Sequence, residues 1–156
     1  MSLWILIGLQ WLHVLGGIFW FGSALFGLSV LAPVLQNLPA EMQRAVTGPL
    51  AAATDRVIIP AAVMTILLGA IRGIAAGVLF QLGTPYGITW LAALVIGVGL
   101  ILWALTVTGP ATRTLRQLEP GPAYAAALRR AILVGLVELA TFFVLFSLMI
   151  AMRFGY

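Results

Sequence analysis

The chain has no cysteine, no lysine, one histidine and four acidic residues in 156. Without cysteine there are no disulfides, no thiolate metal sites and no cysteine nucleophile. With one histidine, His13, and one aspartate, Asp55, no Ser/His/Asp set and no HExxH zinc motif can be assembled. No glycine-rich loop follows a strand to cradle a phosphate. Hydrolytic catalysis is not expected.

Charge is scarce too. Charged residues make up 8% of the chain, against about 25% in an ordinary soluble domain. The hydrophobic fraction is 63% and the mean hydropathy is +1.16, so the chain belongs in a bilayer as one integral membrane domain over residues 1–156. The net charge of +4 is carried by eight arginines. A pI of about 10.8 points to nucleic acid in a soluble chain. Here the arginines cluster in short connections, so lipid headgroups are the expected partner. No basic segment precedes the first apolar run, which argues against a cleaved signal peptide.

Crossing ~30 Å of hydrocarbon takes about 20 apolar residues. Four runs qualify, predicting an all-α bundle with transmembrane helices at about 3–33, 56–80, 88–108 and 131–152. Pro33 and Pro39 close the first helix, and Gly109-Pro110 stops the third. Residues 36–54 and 110–130 read as polar connections. Six arginines (Arg44, Arg56, Arg113, Arg116, Arg129 and Arg130) fall at the end of the bundle holding these two connections. The positive-inside rule then sets that end in the cytoplasm and both termini outside. The implied compartment is a bacterial-type cytoplasmic (inner) membrane. Trp4, Tyr86, Trp90 and Tyr156 are expected as an aromatic belt at the outer interface.

The polar atoms inside the apolar runs are the functional candidates. His13 stands on one helical stripe with Gly17 and Trp20. At ~1.5 Å per residue it lies roughly 15 Å from the outer end of its helix, and Arg72 roughly 12 Å from the outer end of the next. Facing one another, they would make a ligand site, since neutral imidazole binds metals. The same histidine, however, could merely hydrogen-bond a carbonyl across helices, and Arg72 could snorkel outward. Glu138, in the inner half of the fourth helix, is within reach of Arg72, Arg56 or a threonine. Met149 and Met152 are core packing or soft Cu(I) ligands. Their depth differs from that of His13 by on the order of 10 Å. Gly69, Gly73 and Gly77 form a small-xxx-small stripe for close contact with another helix or subunit, so a homo-oligomer or a larger membrane complex is expected.

Leu12-His13 followed by Phe19-Trp20-Phe21-Gly22 resembles the helix-1 signature of the copper-resistance protein D (CopD-like) superfamily. Asp55-Arg56, the Thr65…Gly69…Arg72 run and Glu138…Met149…Met152-Arg153 are also similar to it. The likeness extends to the HemJ-type protoporphyrinogen oxidases of that group. It implies a four-helix membrane core with His13 facing inward. In the HemJ-type branch that histidine is associated with haem b, and a helix-3 lysine is functional. This chain reads Leu91-Ala92-Ala93 after Trp90 and has no lysine. The copper-transport branch has more spans and more metal-binding side chains. Three readings follow: haem b on His13 lined by Gly17 and Trp20 with Arg72 on a propionate, copper handling by His13, Met149 and Met152, or a structural subunit.

Overall fold

A computed structural model describes residues 2–119 and 121–156. It contains four helices long and apolar enough to cross a membrane: α1 (Leu3–Gln36), α2 (Glu41–Ala75), α3 (Pro85–Leu115) and α4 (Pro122–Arg153). Short connections make neighbouring helices antiparallel. The start of α1 lies against the end of α2, where His13 meets Gly69, and the end of α1 lies against the start of α4, where Leu28 meets Gly135.

Every helix outruns or shifts the span expected for it. α2 begins at Glu41 rather than near Arg56, and α4 begins at Pro122 rather than Ala131. Neither Pro33 nor Pro110 stops its helix. The reason is a repeated device: a wide π-helical turn at Gly27–Leu31, at Thr54–Ile58 and at Ala104–Thr108. Proline lacks an N–H, and its ring collides with the carbonyl four residues back. For Pro33, Pro60 and Pro110 that carbonyl belongs to Ser29, Arg56 and Thr106, the middle residue of each π turn. Opening the ladder there removes the collision and lets the helix continue.

Helices of 31 to 35 residues are on the order of 50 Å long at ~1.5 Å per residue, well beyond ~30 Å of hydrocarbon. The residues added to the expected spans lie mostly at the end holding the α1–α2 and α3–α4 connections. There the arginine-bearing residues expected as polar connections are mostly helical, and Arg44 Nη1 meets Glu119 at 2.9 Å. At the opposite end α2 stops at Ala75. Gly77, with φ of +83°, takes the left-handed conformation that terminates it. The Thr84 hydroxyl accepts from the Gly87 N–H at 3.2 Å and starts α3 at Pro85.

The core lies midway along the bundle and comprises Trp20, Ala62, Ala93, Leu100, Phe142 and Leu145. Trp20 and Phe142 meet edge to face at 4.8 Å, as do Phe21 and Phe146, the arrangement aromatic quadrupoles favour. Outward faces carry exposed leucine, isoleucine and phenylalanine, as helices bathed in lipid require.

Candidate functional site

His13 is half-buried on the face of α1 that meets α2. Its Nδ1 lies 2.8 Å from the carbonyl oxygen of Thr65. A carbonyl only accepts, so Nδ1 donates, and in the neutral ring Nε2 keeps the lone pair. Nε2 has no hydrogen-bond partner among the described residues. The Thr65 hydroxyl turns back to donate to Ala61 O at 2.7 Å, leaving its own carbonyl to the imidazole.

The glycine stripe is what lets the ring sit there. A methyl on Gly69 would stand 2.6 Å from His13 Cε1. Gly73 gives the same clearance to the Trp90 indole, and Gly16 to the Thr65 hydroxyl. The close contacts of Gly69 and Gly73 are thus with side chains of their own chain, while Gly77 serves as the helix terminator. Trp90 departs from the aromatic belt expected of it: it is 9% exposed and packed over Gly73. Tyr86 is half-buried and accepts from Arg72 Nη1 at 3.5 Å. Trp4 and Tyr156 remain exposed.

Beside His13 a cavity of about 630 Å³ lies between the helices at the end where the termini are, inside the range of ligand pockets. His13, Gly17, Trp20, Arg72, Met149 and Met152 all line it. His13 lines this cavity from α1, and Met149 and Met152 line it from α4. Residues the sequence reading did not single out as site residues also line it: Gln10, Thr65, Gly69, Tyr86, Trp90, Phe142 and Arg153. The Thr65…Gly69…Arg72 spacing was the one available signal, since it sets three residues on one helical stripe. Apolar walls with a few convergent polar groups are the common form of a ligand site.

Glu138 lies elsewhere. It accepts from the Thr108 hydroxyl at 2.9 Å and faces a separate cavity of about 260 Å³ with Trp103 and Thr141. Its observed partner is a threonine, and it makes no ion pair with Arg72 or Arg56 among the described residues. Among those residues no three of His, Cys, Asp and Glu come together as a metal cluster.

Comparison of the chain with protein-family models, with curated proteins and with solved structures finds no match.

Proposed function

We propose that the chain is a multi-pass protein of a bacterial-type cytoplasmic membrane, of the CopD/HemJ-like kind, that holds haem b in the His13 cavity. Arginine crowding at the end with two connections supports a cytoplasmic position for that end and an outer position for both termini. The observation that carries the reading is the Nδ1–H bond from His13 to Thr65 O at 2.8 Å beside a large apolar cavity. Metal-ligating histidines commonly donate their other ring N–H to a carbonyl in this way, which fixes the tautomer and aims the free nitrogen.

The residues present fit such a group. His13 would hold the haem iron through Nε2, and Trp20, Gly17 and Trp90 would form apolar wall around it. Arg72 and Arg153 supply guanidinium groups for carboxylates, which they bind through charge-assisted hydrogen bonds. Tyr86 holds Arg72 through its hydroxyl. Haem b bound here supplies one-electron redox chemistry. The chain's own part is to exclude water from one face of the site and to neutralise negative charge near the outer end.

The test is an absorption spectrum, oxidised and dithionite-reduced, of protein purified after haem-replete expression. A Soret band that shifts on reduction is expected. His13→Ala should lose the band while keeping the helical circular dichroism of the parent. Arg72→Ala should keep the spectrum and weaken retention of haem by about tenfold, the usual cost of one charge-assisted contact. A colourless parent protein refutes the reading.

A second reading has one observation in its favour, the shared cavity of His13, Met149 and Met152. Thioethers and an imidazole suit Cu(I). Copper retained stoichiometrically through purification, and lost on Met149→Leu, would establish it in place of haem.

A further inference from the structure

The four helices meet along four seams, and at the depth of the His13 cavity three of them are closed. Across α1–α2, His13 is seated on Gly69 and Thr65 on Gly16. Across α2–α3, Trp90 is seated on Gly73 and Ile66 on Gly97. Where α3 meets α4, Ala93 and Leu145 are buried in the core.

The fourth seam, α1–α4, is closed only lower down. Leu28 packs on Gly135, and above it Trp20, Phe21, Phe142 and Phe146 interlock edge to face. Toward the termini from these rings, Val14 and Ile18 of α1 and Ile150 of α4 line the cavity. Yet they are 40%, 61% and 61% exposed. Side chains that border the cavity and also reach the outer surface mark an open wall. Ile18 is 15 residues into α1 from Leu3, about 22 Å at ~1.5 Å per residue, deep within ~30 Å of hydrocarbon. An opening at that depth gives onto acyl chains, not water.

The opposite wall carries charge. Among the described residues the Arg72 guanidinium makes one hydrogen bond, to the Tyr86 hydroxyl at 3.5 Å, and no ion pair with a carboxylate. Because α2 ends at Ala75, Arg72 stands in its last turn, about 4.5 Å from the helix end at ~1.5 Å per residue rather than the roughly 12 Å expected. A guanidinium there with no carboxylate partner is free to bind an anion.

We propose that the slot between α1 and α4 admits an anionic amphiphile dissolved in the membrane. Its apolar body passes Val14, Ile18 and Ile150, and its negative end reaches Arg72. The inference rests on reading this cavity as a ligand site and adds the ligand's chemical class and its route. The carboxylates of haem fall within that class, but the route is testable without haem.

The experiment uses the full chain in nanodiscs with a diazirine-bearing fatty acid, followed by mapping of the adducts by mass spectrometry. Adducts are expected on the cavity faces of α1 and α4. Filling the slot with Ile18→Trp and Ile150→Trp together should reduce them about tenfold, the effect of losing on the order of 1.4 kcal/mol of binding. Arg72→Gln should do the same, and a diazirine-bearing fatty alcohol should label the parent comparably weakly. Leu12→Trp, on an exposed face of α1 outside the cavity lining, should change nothing. Cavity adducts that persist in the double variant, or that a water-soluble short-chain carboxylate competes away, would overturn the lateral route. Adducts confined to outward faces would overturn the ligand class. A colourless protein with slot-dependent adducts would refute haem and leave this inference standing.

Discussion

Gly69→Ala is expected to displace His13 and with it any group bound on Nε2. The added methyl would stand 2.6 Å from Cε1 and 2.9 Å from Nδ1, closer than packed side chains come. The ring cannot retreat and keep Nδ1 on the Thr65 carbonyl. Overpacking of this kind costs about 1–3 kcal/mol, and the broken hydrogen bond adds about 0.5–1.5 kcal/mol. Gly8→Ala, on the same helix as His13 but outside the cavity lining, is the matched control. Its methyl would meet nothing within 4 Å and should be nearly neutral. Thermal unfolding in detergent, monitored together with the Soret band, separates the two. Equal behaviour of the two variants would show that the imidazole is not held against Gly69.

Phe142→Ala should be the most destabilising change away from His13. Phe142 is 2% exposed and packs edge to face on Trp20 at 4.8 Å and on Phe21 at 5.8 Å. In aqueous cores such truncations cost about 3–5 kcal/mol, part of it the loss of transfer from water. In a bilayer that part is absent, because lipid chains are as apolar as the core, and packing alone is lost. A cost of about 2 kcal/mol is therefore expected. Phe143→Ala, 56% exposed to the surroundings though 5.6 Å from Phe21, should cost well under half of that. Denaturant or heat unfolding in mixed micelles measures both. A larger loss for Phe143 than for Phe142 would misplace the core.

The bundle was legible in the sequence because hydrocarbon imposes a simple requirement, some 20 apolar residues per crossing, and four runs meet it. The helix ends were not. Pro33 and Gly109-Pro110 carry strong stop signals, and the π turns that accommodate Pro33, Pro60 and Pro110 have no side-chain signature of their own. His13 and Arg72 were legible as polar residues within apolar runs, Gly17 and Trp20 as the small and aromatic residues on the stripe of His13, and the fold brings all four to one cavity. What their spacing did not reveal was pairing across helices: Gly69 with His13, Gly73 with Trp90, Thr108 with Glu138. Trp90 illustrates the point. Its position near a helix start matches an interfacial anchor, but the clearance at Gly73, on another helix, turns it inward. Met149 and Met152 line the same cavity from α4, a pairing across helices that rise along one helix does not show.

The most direct measurement is imidazole rescue of His13→Gly. Haem held in this cavity would take Nε2 of His13 as its ligand, with Nδ1 tied to the Thr65 carbonyl. The glycine variant, purified from haem-replete cells, should lack the reduction-sensitive Soret band of the parent, and free imidazole should restore it by occupying the vacated space against Gly69. A band already present in the variant without imidazole, or absent from the parent, would contradict the assignment of His13 as the ligand.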